Sequence, residues 1–220
     1  MIGLEGWFAN FTQISRRWNT PQSLADIPRP HLEYAIFATF KGAELMSVLG
    51  GLVAHPIYRW YLSRKLTPET TTPNSDKVIR NACRKLQGRM LIFGLVAAPL
   101  ISRAETHFSG RTDMELKNKC YAIRCNADTL SLDRAVVVCG LIGWYWKRFQ
   151  GAVDGINCGI AYAMINSQFI APRTSPMLKD SVPEEARFEN VEAAEEHKTQ
   201  LTKFLAEQDR SQKTSEAVKN

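Results

Sequence analysis

Histidine is scarce in this chain, and the four that occur, His31, His55, His107 and His197, are far apart. Five cysteines include no CxxC pair, and the closest two, Cys120 and Cys125, have no histidine beside them. An odd, scattered set of this kind supplies neither a disulfide framework nor a two-plus-two zinc site. Also missing are a GxSxG elbow, a GxGxxG turn, a P-loop and an HExxH helix. The expectation is therefore a protein with no catalytic residue, no metal and no cofactor. A secretory leader is absent by pattern, since no charged stretch precedes an apolar core. The sequon Asn10-Phe11-Thr12 then reads as chance.

What the chain does hold is basic and apolar. There are 28 Lys+Arg against 22 Asp+Glu in 220 residues, a net charge of +6, and 45% of the residues are apolar, which excludes disorder along the whole length. The slightly negative mean hydropathy hides an uneven distribution. Residues 1–30 carry three basic and two acidic groups, residues 31–170 seventeen and ten, and residues 171–220 eight and ten. A basic, apolar middle thus lies between a short head and a polar tail.

Four apolar segments fill that middle, at 34–54, 86–104, 135–146 and 149–172. A bilayer core needs about 20 helical residues, so the first and last are long enough and the others short. Spacing carries more information than length. Small residues recur every fourth position in each segment: Ala35, Thr39, Ala43, Ser47 and Gly51 in the first; Gly94, Ala98 and Ser102 in the second; Ala135, Cys139 and Gly143 in the third; Gly151, Gly155, Gly159 and Ala163 in the fourth. Residues four apart share a helix face. A glycine ridge is a poor core in water, where each glycine costs about 1 kcal/mol and buries nothing. In lipid the same ridge lets backbones touch. These patterns predict an all-α protein, a four-helix transmembrane bundle.

Charges within the segments need partners. Lys or Asp at a helix centre costs about 2.5–3.5 kcal/mol to insert, against about 0.3–0.6 kcal/mol returned by each large apolar side chain. Lys41 and Glu44, three apart on one face, are expected to pair, and Asp154 to find a basic partner across the bundle. The opposing reading, amphipathic helices of a soluble bundle, gives no role to the ridges.

The flanks complete the plan: 1–30 as an N-terminal arm, 31–172 as the membrane domain and 173–220 as a polar extension. Leu4, Trp7, Phe8, Phe11 and Ile14, followed by Arg16 and Arg17, resemble an interfacial amphipathic helix. Pro21, Pro28 and Pro30 predict extended chain over 20–31. The stretch 55–85 reads as a loop with Pro56, Pro68 and Pro73. Its Arg59, Arg64, Lys65, Arg84 and Lys85, beside Trp60 and Tyr61, suit anionic lipid headgroups such as cardiolipin better than nucleic acid. The tail, from Ser181, predicts a charged helix with a thin apolar stripe of Phe188, Val191, Leu201, Phe204 and Leu205 lying on a partner, and a frayed end from Ser211.

One motif stands out. Arg124-Cys-Asn-Ala-Asp128 is followed by Asp133-Arg134-Ala135 and by Gly140 at the onset of the third segment. With four short, glycine-ridged helices, this resembles the Tim17/Tim22/Tim23 superfamily of mitochondrial inner-membrane proteins, departing from its pattern at Val136, where a glycine is usual, and at Asp113, where an aromatic is usual. The long head and tail are most similar to the Tim17-like accessory subunit of respiratory complex I. The resemblance implies a non-catalytic structural subunit of the mitochondrial inner membrane, stabilising the membrane arm of NADH:ubiquinone oxidoreductase within the electron-transport chain, with both termini in the intermembrane space. Its other implication is a subunit of an inner-membrane protein translocase, with Lys41, Glu44 and Asp154 lining a path. The structural reading gives Arg124 and Asp128 a role in stabilising the bundle, and a double variant tests for pairing between the two.

Overall fold

The computed structural model describes residues 3–12, 19–67, 71–174 and 182–219. Ile14, Arg16, Arg17, Pro68 and Ser181, all used in the sequence reading, lie outside these. Among the described residues the protein is helical throughout, with no strand. In chain order the helices are α1 (Glu5–Thr12), α2 (Pro21–Ala25), α3 (Pro30–Val48), α4 (His55–Arg64), α5 (Ser75–Phe108), α6 (Asp113–Cys125), α7 (Ala127–Ile165), α8 (Ala171–Thr174) and α9 (Val191–Lys219). They divide into two compact units, one of Met1–Pro28, Thr112–Cys125 and Asp180–Asn220, the other of Arg29–Arg111 and Asn126–Lys179.

Two sequence expectations change at the prolines. Residues 20–31 are not extended, because Pro21 and Pro30 sit in the first turns of α2 and α3. Proline lacks only an N–H that a first turn leaves unused, and its fixed φ suits a helix start. Thr20 and Ser23 close a reciprocal capping box over α2. The stretch 55–85 is likewise mostly helix. The backbone widens into π-helix at Leu49–Ala54 and again at Asn166–Ile170, and each widening ends two residues before a proline, Pro56 and Pro172. The His55 N–H bonds the Gly50 carbonyl and the Ala171 N–H that of Asn166. A wider turn makes room for the ring and for the hydrogen bond it cannot donate, so each helix continues past its proline. Likewise, α9 runs to Lys219 without fraying at Ser211.

In the second unit, α3 with its continuation packs on α5 and α7. The helix α7 reverses at Lys147–Arg148, where Arg148 takes φ +56°, to give two antiparallel arms, 127–146 and 149–165. The ridges of the third and fourth segments face each other along these arms. A side-chain carbon on Gly151 would meet the backbone of Gly143, one on Gly155 that of Cys139, and one on Gly159 that of Ala135 and Val136. Each pair lies four residues further from the reversal than the last. Gly42 and Gly94 make the equivalent contact between α3 and α5. Ala43 joins Leu91, Val136, Ala152, Val153 and Ile156 in the core, and Ser47 and Gly51 turn toward the second arm of α7.

Pro30–Arg64 and Ser75–Phe108 are long and apolar enough to cross a membrane. Only 28% of each apolar stretch is buried, whereas the core helix of a water-soluble protein is mostly covered. The second unit is inverted relative to such a protein. Glycine, alanine, serine, Glu44 and Asp133 are inside, and Leu52, Phe93, Leu100, Ile101, Leu141 and Ile142 are outside. Replacing Gly155 with Leu should cost about 3 kcal/mol or more through overpacking, read as a fall in the thermal midpoint in detergent. Gly50→Ala, whose new methyl would lie 3.3 Å from Met90 Cβ and 3.8 Å from the Gln87 backbone, should shift it far less.

Candidate functional site

Two polar constellations are built into the fold, one in each unit. In the second unit, Lys41 and Glu44 lie one turn apart on α3, and Asp133 comes from the first arm of α7. The Lys41 ammonium donates to both Glu44 oxygens, at 3.2 and 2.9 Å, and to Asp133 Oδ1 at 2.6 Å. Both carboxylates are buried, with Glu44 8% and Asp133 3% exposed. One ammonium therefore holds two carboxylates and ties α3 to α7 at a fixed register. The expected pairing of Lys41 with Glu44 is present. Asp133 is the member that spacing could not supply, because it sits 92 positions from Lys41.

Further along the same face of α3, Ser47 is fully buried, and its carbonyl accepts from the Asn157 amide at 3.3 Å. Beyond it His55 Nδ1 lies 3.2 Å from the Gln87 amide nitrogen. The inward-facing polar groups of α3 and α4, at 41, 44, 47 and 55, thus each meet a partner or stand in the packed interior. Asp154 departs from expectation. It is exposed, and no described residue pairs with it. Its position on the second arm of α7 points it away from Ala152, Val153 and Ile156, which occupy the core.

In the first unit α6 is the centre. The Arg124 guanidinium donates to the carbonyls of Ser23, Leu24 and Asp26, at 3.2, 3.0 and 3.2 Å. It thereby covers the C-terminal end of α2, where carbonyls lack helical partners and a cation is favoured. Asn10 of α1 donates to the Arg124 carbonyl at 3.1 Å. On the same helix Asn118 accepts from the Val191 N–H and so caps the start of α9, and Lys117 pairs with Glu195 at 2.9 Å. Tyr121 donates to the Phe188 carbonyl at 3.0 Å, and Arg187 donates to that of Cys125 at 3.0 Å. Burial pushes the Tyr121 hydroxyl up to about 12 and raises the Cys125 thiol as well. Arg124 and Asp128 belong to different units, Arg124 in the clamp on α2 and Asp128 exposed in the first turn of α7. Of the tail stripe, Val191 is buried, whereas Leu201, Phe204 and Leu205 are open.

The proposed headgroup residues fall at one end of the second unit. Arg64 stacks over the Trp60 ring at 4.0 Å and Lys65 over Tyr61 at 4.5 Å. Arg59 and Lys85 are exposed and Arg84 is half-buried. At the α7 reversal Arg148 lies 5.6 Å from the Trp144 ring. Among the described residues no group of His, Cys, Asp and Glu is placed to hold a metal ion.

The fold and these constellations define an all-helical protein whose second unit carries two helices fit to cross a membrane and a charged seam closed by an ion triad. Residues 7–166 match the family model described as "Protein of unknown function (DUF1757)", and the chain belongs to that family. No curated protein matches it.

Two measurements test the constellations. Lys41→Met strands two buried carboxylates and should cost about 3–5 kcal/mol. The triple variant that also carries Glu44→Gln and Asp133→Asn should recover much of that loss in thermal unfolding. Arg124→Gln should destabilise by about 3 kcal/mol through three orphaned carbonyls, and Asp128→Asn hardly at all. The double variant should equal the sum of the singles, because the two share no interaction.

Proposed function

We propose that this chain is a non-catalytic structural subunit of a multi-subunit complex in the mitochondrial inner membrane, on the four-helix plan of the Tim17/Tim22/Tim23 superfamily. In this reading it stabilises the membrane arm of respiratory complex I. The observation that carries it is the inversion of the second unit. Its interior holds backbone contacts through glycine and an ion triad beside a small aliphatic cluster, and its exterior large apolar side chains on α3, α5 and both arms of α7. The triad favours a structural role, because both carboxylates are buried against the one ammonium that joins α3 to α7. The runner-up, a protein translocase subunit, needs polar groups open to a substrate path; of Lys41, Glu44 and Asp154, Glu44 is buried, Lys41 half-buried and Asp154 exposed.

The four segments cross the bilayer in this reading, the last two as the arms of α7. An even number of crossings leaves the head, the stretch between the second and third crossings, and the tail on one side. Those are the three pieces that build the first unit. By the superfamily resemblance that side is the intermembrane space.

The test has two stages. Alkaline carbonate should leave the protein in the membrane pellet, and release into the supernatant refutes the membrane reading. On native gels of digitonin-solubilised mitochondria the protein should migrate with complex I. Depleting it should lower the amount of assembled complex while turnover per assembled complex stays unchanged. Co-migration with a translocase instead would favour the runner-up.

A further inference from the structure

At the end of the second unit opposite the ion triad, three elements reach the same level. His55 opens α4 and meets Gln87 of α5 at 3.2 Å, and the next residue, Gly88, lies against Phe149, the first residue after the α7 reversal. Cations gather there. Arg59 stands one turn beyond His55 on the same face of α4, and Arg84 stands one turn before Gln87 on the same face of α5. The helices pack against each other, and the Arg59 charge reaches Cys83, the neighbour of Arg84.

Two buried polar groups in this cluster have no partner. Gln87 is 2% exposed and satisfies only one end of its amide, and the Arg84 Nε is buried and bonds nothing. Leaving such groups unpaired costs about 1–3 kcal/mol each, more for a charged one. Their surroundings point to what satisfies them. Arg59 and Arg84 are cationic, and the free end of the Gln87 amide is its oxygen, an acceptor. Next to Arg59 on α4, Trp60 is 58% exposed. A cationic pocket with an open indole beside it suits a phosphate that carries hydrocarbon chains.

We propose that this cluster is a binding site for the phosphodiester of one anionic phospholipid. Arg84 and Arg59 hold the phosphate oxygens, and the free oxygen of the Gln87 amide accepts from a hydroxyl of the headgroup. Trp60 lies along the acyl chains. The proposal rests on the membrane reading of the second unit and goes beyond it by assigning a headgroup to particular side chains.

The experiment uses the full chain purified in detergent, with native mass spectrometry to count retained lipid. The probes are phosphatidylglycerol, phosphatidylcholine with the same acyl chains, and inorganic phosphate. Phosphatidylglycerol should be retained, phosphatidylcholine should not, and inorganic phosphate in excess should not displace the lipid. Arg84→Gln and, separately, the exposed Arg59→Gln should each weaken retention about fivefold. Gln87→Glu, which sets a carboxylate against the phosphate, should abolish it. Circular dichroism identifies any variant that has lost its helices, and Arg59→Gln keeps the test decisive if a buried variant fails. Retention unchanged in both arginine variants overturns the site, as does equal retention of phosphatidylcholine. Displacement by inorganic phosphate overturns the lipid assignment in favour of a soluble anion. Carbonate extraction separately reports on the membrane reading, so the two failures are distinguishable.

Discussion

Backbone touching backbone is the constraint from which the second unit is built. Between the arms of α7, Gly143, Cys139 and Ala135 meet Gly151, Gly155 and Gly159 without room for another carbon atom, and Gly42 meets Gly94 in the same manner. Such contacts bring helix axes closer than leucine or phenylalanine would permit, and the large side chains are then displaced outward. The apolar exterior thus follows from the same geometry as the packing. Close approach also makes the bundle depend on register, since sliding one arm by a single residue would drive a side chain into the opposing backbone.

Register is fixed a second time by charge. Lys41 reaches across from α3 to Asp133 while holding Glu44 on its own helix. Buried ionic groups of this kind contribute little net stability relative to apolar replacements, but removing one member is costly. Their effect is to penalise alternative pairings of α3 with α7, which the smooth small-residue ridges alone would tolerate. The first unit uses a different device. There α6 supplies side chains that finish the ends of other helices: Arg124 at the close of α2 and Asn118 at the start of α9.

Much of this was legible in the sequence because it is periodic. The four-residue recurrence of small side chains marked the faces that meet in α7, and the three-residue spacing of Lys41 and Glu44 marked their pairing. What lay beyond reach was non-local. Nothing near Lys41 announces Asp133, and nothing near Arg124 announces three carbonyls in residues 23–26. Nor does the sequence around Asp154 reveal that it faces outward. The prolines misled for a local reason. Pro21 and Pro30 read as breakers although they open helices, and the stretch around Pro56 read as a loop because a π-helical turn, which no composition signals, lets the helix pass it.

The discontinuity of the first unit bears on the order of synthesis. Its pieces lie at both ends of the chain and in the middle, and Tyr121 and Asn118 find their partners only at Phe188 and Val191. During translation α6 therefore emerges with Asn118 and Tyr121 lacking these partners, and they stay so until some seventy further residues, including all of α7, have followed. Closure of this unit is a late event that registers the completion of the segments between its pieces. A chain halted or misthreaded anywhere in that interval would keep α6 without its late partners, the kind of unfinished surface that chaperones and proteases recognise.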